Sequence, residues 1–319
     1  MKTLVLGGSS FVGLHLVHEL LRRGHEVTVF NRGQTPVEFP PDVKRLYGDR
    51  KDHDTLRAVL GTGDFDAVLD TSAYVEEDVK PLPELFAGRI GHYVFTSSTA
   101  VYERSHIMPI AEGFPLDRRP GASPYAAGKI VCEDFLSGAF EEKGFPVTFV
   151  RPCMVYGPDN NIPQREASFF ARFLQGRKIV VPGDGLTLIH FVHVDDLAAV
   201  FASVLDKDSA IGEAYTAAGP EAITIDGYTS LIARIVGVEA QIVHIPAEAA
   251  AAIERRFFPY EWRWSIIYDI QKAREQLGYS PRYTMESGLQ HSYEWYQSGG
   301  KEKAKFDFSY EDELIQRFG

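Results

Sequence analysis

The chain opens with a strand, a glycine-rich turn, a helix and a second strand. Residues 2–6 (KTLVL) form an apolar run, the sequence GGSSFVG follows, and 11–23 carries apolar side chains at helical spacing. A second apolar run lies at 26–30. Gly7 permits a tight turn, Gly13 permits close packing of helix on strand, and the amides at the helix start can face a pyrophosphate. The pattern predicts a dinucleotide-binding βαβ unit, with a plain glycine turn as the alternative.

The same alternation continues through the first half of the chain. Apolar runs that fit buried strands, and the helical patterns between them, lie at 44–47, 52–60, 67–70, 76–86, 92–96, 124–142 and 147–151. Strands that alternate with helices predict an α/β fold with a doubly wound parallel sheet.

Beyond this region the predicted elements are shorter. They are helices at 166–174, 195–205 and 226–235, and a strand at 241–245. We therefore expect a dinucleotide-binding domain over 1–157, with a returning segment near 188–215, and a smaller C-terminal substrate lobe formed mainly by 158–319.

Composition narrows the class of protein. The formal net charge of −11 disfavours a nucleic-acid partner, which requires a basic face. No apolar run approaches the roughly 20 residues of a membrane span, no signal peptide is visible, and the two cysteines lack metal-type spacing. These features predict a reduced, cytoplasmic setting. His190, His193, Asp195 and Asp196 could be drawn as a metal cluster, but the aspartates fit a helix start better, so we predict no metal.

The sequence SPYAAGK at 123–129 supplies a phenol and an ammonium. Tyr125 and Lys129 are four residues apart and share one face of a helix, which Ser123 as the cap and Pro124 at the first helical position can begin. A neighbouring ammonium lowers the pKa of a phenol, which suits proton transfer to or from a substrate oxygen. Ser98, at a strand end, can hold the same oxygen. Gly128 predicts a close approach to this helix by a cofactor or a neighbouring helix.

The end of the second strand bears on the choice of cofactor. An acidic residue there would hydrogen-bond the ribose of NAD, whereas a nearby arginine accommodates the 2′-phosphate of NADP. This chain has Asn31 followed by Arg32. The pattern favours NADP, with NAD left open and a solvated surface arginine as the alternative.

Further motifs accompany the glycine loop and the Tyr/Lys pair. They are TSA at 71–73, SSTAVY at 97–102, RP at 151–152, VYGP at 155–158, FVHVDDL at 191–197 and LGYSP at 277–281. Together they resemble the extended short-chain dehydrogenase/reductase family, whose members include nucleotide-sugar epimerases and dehydratases. The resemblance covers nearly the whole chain and implies a Rossmann fold.

The resemblance also implies roles for the matching residues. Ser98 would orient the substrate oxygen, Tyr125 would be the acid/base, and Lys129 would bind the nicotinamide ribose and lower the pKa of the tyrosine. Asp49 matches the residue that meets the adenine. The predicted cofactor site comprises Gly7, Ser9, Ser10, Phe11, Val12, Gly13, Asn31, Arg32, Asp49, Arg50, Thr71, Ser72, Ala73, Thr96, Tyr125, Lys129, Pro152 and Met154.

The chain is most similar to an atypical branch that includes the chloroplast stem-loop RNA-binding proteins and their bacterial relatives. The likeness lies in LVLGG at 4–8 and GDRKD at 48–52. The chloroplast members lack the Tyr/Lys pair, which this chain keeps. Met154 stands where sugar-nucleotide enzymes usually carry Asn, and Ile189 and His190 replace an Arg-Asp pair whose arginine holds a diphosphate. These departures disfavour an ordinary UDP-sugar substrate.

Two functions are consistent with these patterns. The first is an NADP-dependent oxidoreductase or epimerase that transfers hydride at a secondary alcohol or ketone carbon of a small molecule, including a sugar derivative. A dehydratase is disfavoured because no carboxylate follows Ser98 directly. The second is a non-catalytic cofactor-binding or RNA-binding protein on the same fold. The Tyr/Lys pair favours the enzyme. The apolar residues of 124–142, the helix through which this family commonly dimerises, predict a homodimer.

Overall fold

The apolar runs of the sequence form strands that follow the predicted alternation. A computed structural model describes residues 1–300 and 305–319 of the chain. Its strands are β1 (Lys2–Leu6), β2 (Glu26–Asn31), β3 (Lys44–Tyr47), β4 (Ala67–Asp70), β5 (His92–Thr96), β6 (Val147–Pro152), β7 (Met154–Tyr156), β8 (Ile179–Pro182), β9 (Leu188–His193), β10 (Ala214–Ala217), β11 (Ala222–Thr224) and β12 (Ile242–Ile245).

Seven of these strands form one parallel sheet in the order β10-β6-β5-β4-β1-β2-β3. This arrangement confirms the predicted doubly wound fold. Leu4, Val5 and Leu6 of the central strand are at most 1% exposed, as expected for a parallel sheet covered on both faces. The strand order reverses between β1 and β4, and ligands of such sheets bind in the crevice at that point, outside the carboxyl ends of the strands.

Helices connect the strands of this sheet and continue to the end of the chain. They are α1 (Phe11–Arg22), α2 (His53–Leu60), α3 (Glu76–Val79), α4 (Leu82–Leu85), α5 (Pro124–Lys143), α6 (Glu166–Leu174), α7 (Val194–Val204), α8 (Ile225–Val236), α9 (Ala247–Ala251), α10 (Gln271–Leu277), α11 (Met285–Gln297) and α12 (Ser309–Phe318). Over the described residues, none of these helices combines the length and the hydropathy that a membrane span needs.

Two helical predictions need correction. The single helix predicted over 76–86 is divided into α3 and α4, because Pro81 and Pro83 lack the N–H groups that a continuous helix would use. Helix α5 begins at Pro124 as predicted, but the side chain of Ser123 makes no capping hydrogen bond.

The described residues divide into two units. The first contains the seven-stranded sheet, and the second has a β11-β9-β7 sheet, a β12-β8 pair and an aromatic core that includes Phe191, Tyr228 and Tyr260. The predicted domain limits and the substrate-binding role of the second half stay predictions. The first unit comprises Met1–Cys153, Val194–Ala218 and Tyr268–Ser280, and the second comprises Met154–His193, Gly219–Ile267 and Pro281–Gly319.

Gly128 lies where a loop crosses helix α5. A Cβ atom built on Gly128 would lie 2.4 Å from the carbonyl oxygen of Tyr74, which is closer than real Cβ contacts come. The close approach predicted at this position is therefore made by the backbone of the loop that follows β4 rather than by a neighbouring helix. Gly138, ten residues later in the same helix, has open space where a Cβ would stand.

These two glycines allow a matched pair of substitutions. Gly128→Ala should lower the free energy of unfolding by about 1–3 kcal/mol, the usual cost of forcing extra atoms into packed structure. Gly138→Ala should raise it by about 0.5–1 kcal/mol, because alanine stabilises an open helix position. Urea unfolding followed by circular dichroism measures both, and equal effects of the two changes would contradict the assignment.

Candidate functional site

The glycine loop after β1 is held in conformations that favour glycine. Gly7 and Gly8 have φ angles of 110° and 84°. A Cβ on Gly7 would lie 2.5 Å from Thr71 Oγ1, and one on Gly13 would lie 2.6 Å from the amide nitrogen of Gly8. The loop therefore packs against the end of β4 and against its own helix. Gly8, which the sequence analysis left out, is as constrained as its neighbours.

The loop leads directly into the N-terminus of α1. Ser10 is extended and exposed, Phe11 is buried with a φ of 39°, and Ser9 and Val12 are half-buried. The first turn of α1 contains no acidic residue. This helix start is suited to a phosphate group, because its free amides and its dipole attract negative charge.

Asn31 at the end of β2 joins two strand ends. Its Nδ2 donates to the carbonyl oxygen of Gly7 at 3.3 Å, and its Oδ1 accepts from the amide of Gly33 at 2.8 Å. Arg32 is exposed, and its guanidinium forms no hydrogen bond or ion pair with the residues that the structure describes. The asparagine thus has a structural task that the sequence pattern did not reveal.

Asp49 and Arg50 follow β3, and the structure separates their environments. Asp49 is exposed and accepts from the amide of Lys51 at 3.0 Å. Arg50 points inward and forms two hydrogen bonds of 2.7 Å with Asp70, the last residue of β4, which is fully buried. Arg50 also donates to Ser72 Oγ at 2.8 Å. The predicted cofactor residue Arg50 is therefore occupied by contacts within the protein.

The segment after β4 contains three more residues of the predicted cofactor site, Thr71, Ser72 and Ala73. Thr71 Oγ1 donates to the carbonyl oxygen of Leu6 at 3.0 Å, which ties β4 to β1. The amide of Ser72 donates to Asp70 Oδ1 at 3.0 Å. Ala73 is buried, and its carbonyl oxygen faces helix α5.

Lys129 is the buried centre of the candidate site. Its Nζ donates to the carbonyl oxygens of Ala73 and Thr96, both at 2.6 Å. It lies 4.6 Å from the ring centroid of Tyr74 and 5.8 Å from that of Tyr125. Burial lowers the pKa of Lys129 to about 8, against the opposing influence of Asp70. Lys129 thus joins the ends of β4 and β5 beneath the first turn of α5.

Tyr125 and Ser98 lie at the same end of the sheet. Tyr125 is 45% exposed in the first turn of α5, and its ring centroid is 6.2 Å from that of Tyr74. Ser98 is half-buried, and its Oγ accepts from the amide of Ala100 at 3.1 Å. Tyr74 was not predicted, although its position directly after the TSA motif could have indicated it.

A buried polar atom beside Lys129 tests whether a cofactor fits this edge. Thr96 Oγ1 is inaccessible to solvent and has no hydrogen-bond partner among the described residues. Lys129 uses two of its three N–H donors on carbonyl oxygens. Thr96 Oγ1 and Lys129 Nζ can therefore each form a further hydrogen bond, as a ligand with ribose hydroxyls would require. Together with the helix start after the glycine loop, they fit a dinucleotide.

The remaining sequence-predicted positions follow β6. Pro152 is buried at the end of that strand, and Met154 begins β7 in the second unit. Ile189 and His190, which replace the Arg-Asp pair, are buried in the second unit. His190 Nε2 lies 3.0 Å from the carbonyl oxygen of Gly219, and burial lowers the pKa of His190. Neither side chain offers a charge for a diphosphate.

Comparison with known proteins places these features in context. A family model described as the NAD dependent epimerase/dehydratase family matches residues 3–81 and 82–218. The chloroplast stem-loop binding protein of 41 kDa b from Arabidopsis thaliana is 31% identical over 330 residues, covering 99% of this chain and 84% of that protein. The 2-alkyl-3-oxoalkanoate reductase of Stenotrophomonas maltophilia is 28% identical over 336 residues, covering 91% and 97%.

Solved structures share the fold at lower sequence identity. The dTDP-glucose 4,6-dehydratase of Bacillus anthracis, solved in complex with NAD, superposes with a TM-score of 0.80 and 22% identity. The superposition covers 94% of this chain and 98% of that one. At this level of identity the likeness supports the architecture of the chain.

The buried ammonium makes a pH-dependent contribution to stability. The pKa of Lys129 falls from 10.5 in the unfolded chain to about 8 in the fold. Between these values the unfolded chain binds more protons, so the free energy of unfolding rises with pH through this window. Relative to Lys129→Met, the wild type should therefore gain about 2 kcal/mol between pH 7.5 and pH 10. Urea unfolding of both proteins at the two pH values measures the difference, and a constant difference would refute the assignment.

Proposed function

The chain is an enzyme of the NAD dependent epimerase/dehydratase family, and on that premise we propose that it transfers hydride at a secondary alcohol or ketone carbon of a small molecule. The observation that carries this proposal is the placement of Lys129 beneath Tyr125, at the carboxyl ends of β4 and β5. Hydride transfer at the carbon, together with proton transfer at its oxygen, interconverts an alcohol and a ketone. A reductase and an epimerase share this step.

A nicotinamide dinucleotide would be held by the glycine loop, the start of α1 and the ends of β2, β4 and β5. When bound, it supplies or accepts the hydride. We assign the third N–H of Lys129 to a ribose hydroxyl, because its other two donors hold Ala73 and Thr96. Arg32, exposed after β2, is the proposed partner of a 2′-phosphate, so NADP is the preferred cofactor.

The protein groups then divide the acid/base work. Tyr125 Oη gives its proton to a carbonyl oxygen, or takes one from a hydroxyl, and the Lys129 ammonium favours the phenolate that remains. Ser98 Oγ accepts from Ala100, which leaves its own proton for the same substrate oxygen. Tyr125 is thus proposed to exchange one proton with the substrate oxygen, Ser98 to hold that oxygen, and Lys129 to favour the phenolate.

The substrate proposed here is not an ordinary UDP-sugar. The positions that would carry the diphosphate-binding arginine and its neighbour are the buried Ile189 and His190. An uncharged carbonyl compound or a sugar derivative without that diphosphate fits these residues better. A homodimer through α5 is also proposed, on the resemblance to the family; Val131 of that helix is 41% exposed, whereas Ile130 and Leu136 are buried within the subunit.

RNA binding is the second candidate function, because the relative from Arabidopsis thaliana is named as a stem-loop binding protein. The net charge of −11 and the Tyr125/Lys129 pair favour catalysis. RNA affinity that falls steeply with salt would indicate a phosphate-binding face and support this alternative.

The assignment of Tyr125 as the acid/base predicts that removing its Oη lowers turnover. The first step is to identify the cofactor released from the purified protein on denaturation, since a retained oxidised cofactor indicates an epimerase and an empty site a reductase. That result decides whether epimerase or reductase substrates are tested. On a substrate that the wild type turns over, Tyr125→Phe should lower kcat by 10²–10⁴-fold, the usual contribution of a general acid or base. Cofactor affinity should change little, and turnover close to that of the wild type would reject Tyr125.

The choice of cofactor is tested by a second substitution. NADPH should bind more tightly than NADH by about 1–3 kcal/mol, the scale of a hydrogen bond to a charged group. Arg32→Ala should remove most of this preference and leave NADH affinity nearly unchanged. Arg45→Ala, at an exposed arginine of the neighbouring strand β3, is the control. Calorimetric titration with both cofactors measures the affinities, and equal affinities in the wild type would overturn the proposal.

A further inference from the structure

The segment 71–78, called here the 71–78 loop, runs from the end of β4 into the first turn of α3 and lies between Lys129 and the buried Arg50–Asp70 ion pair. On one side, its backbone contacts the guanidinium of Arg50, which is paired with Asp70. On the other side, the carbonyl oxygen of Ala73 accepts from Lys129. The loop therefore connects two buried cations that do not bond to each other.

Arg50 binds this loop at both of its ends. Its Nη1 donates to Ser72 Oγ at 2.8 Å, near the start of the loop. Its Nη2 donates to the carbonyl oxygen of Asp78 at 2.6 Å, at the end of the loop. The planar guanidinium holds these two acceptors and the Asp70 carboxylate in one geometry, which a lysine could not reproduce.

Asp78 fixes the middle of the loop. Its Oδ2 accepts from the amides of Tyr74 and Val75 at 2.8 and 3.2 Å. Asp78 itself is only 4% exposed. Arg50 and Asp78 together therefore hold the loop at Ser72, Tyr74, Val75 and Asp78.

The loop presents three groups to helix α5. The carbonyl oxygen of Ala73 accepts from Lys129, the carbonyl oxygen of Tyr74 lies against Gly128, and the Tyr74 ring covers the Lys129 ammonium at 4.6 Å. A shift of the loop would move a hydrogen-bond acceptor and a ring away from the ammonium. The position of Lys129 thus depends on the same residues that hold the loop.

The charges of the buried groups also link Lys129 to the Arg50–Asp70 pair. Although burial raises the pKa of Asp70, the charge of Arg50 and its hydrogen bonds bring that pKa below its ordinary value. The groups that act electrostatically on Lys129 are Asp70, Cys132, Arg50 and Asp78. Two carboxylates therefore face two cations in this buried region, and the Lys129 ammonium completes the balance.

We propose that Arg50 and Asp78 are positioning residues that act on Lys129 through the 71–78 loop. This inference rests on the proposed function, in which Lys129 binds the cofactor. The sequence motif placed Arg50 in the cofactor site. In this proposal Arg50 instead holds Lys129 in position. The contribution of Arg50 to cofactor binding then exists only while Lys129 is present.

A double-mutant cycle tests this dependence. Removing Arg50 alone would leave the buried Asp70 uncompensated and could unfold the protein, so Arg50→Met is combined with Asp70→Asn. This pair keeps an acceptor for Tyr93, which donates to Asp70. The affinity for NADPH is measured by fluorescence titration in the wild type, in this double variant, in Lys129→Met and in the combined triple variant. Circular dichroism establishes that each variant is folded.

The double variant and Lys129→Met are each expected to weaken NADPH binding about tenfold, the scale of one hydrogen bond to a charged group. The triple variant should bind no more weakly than the weaker of the two, because residues that act through one group are not additive. Additive losses, or unchanged affinity in the double variant, would overturn the inference.

Two further variants make the result specific. Asp78→Ala leaves the Arg50–Asp70 pair in place and should show the same non-additivity with Lys129→Met. The control pairs Arg172→Met with Asp312→Asn, which removes a 2.7 Å arginine–aspartate contact in the second unit and should leave NADPH affinity unchanged. Failure of the wild type to bind either NADPH or NADH would overturn the proposed function itself. Additive losses in a wild type that does bind would overturn only the positioning role of Arg50 and Asp78.

Discussion

The hydrogen bonds from the Lys129 ammonium to two backbone carbonyls are the contact on which the candidate site depends. They join the segment after β4, the end of β5 and helix α5, which are distant in the sequence. A charge placed there is costly, because the surroundings exclude water and lower the pKa of the lysine. Nearby carboxylates and the two carbonyl acceptors offset part of the free-energy cost of burying the ammonium. Stability is thus given up at the position where chemistry is proposed.

The cost of burying that charge is offset by groups contributed from several strands. Asp70 ends β4, Tyr93 of β5 donates to it, and Arg50 approaches from the segment after β3. Parallel strands bring their carboxyl ends to one edge of the sheet, so side chains from separate βα units meet there. The same topology that forms the cofactor crevice therefore also assembles the network beneath it.

The regular elements could be predicted from the sequence because they depend on local pattern. The predicted strands 44–47, 67–70 and 92–96 agree with the structure residue for residue. The network around Arg50 could not be predicted in this way. Arg50 and Asp70 are twenty positions apart, and the motif that contains Arg50 suggested a ligand rather than a carboxylate partner. Gly128 gave a correct signal of close approach, but its neighbour, the carbonyl of Tyr74, is known only from the fold.

The hydrogen bond from Asn31 to the carbonyl oxygen of Gly7 limits how cofactor preference could evolve or be engineered in this protein. Under the proposed preference for NADP, the simplest change toward NAD would be an aspartate at the end of β2, yet it would replace an amide donor with a carboxylate facing a carbonyl oxygen. That repulsion would act on the glycine loop itself. A lineage or a designer would therefore reach NAD preference more readily through position 32, where the side chain is exposed. The route to a new specificity is therefore constrained by a contact within the protein, between the end of β2 and the glycine loop.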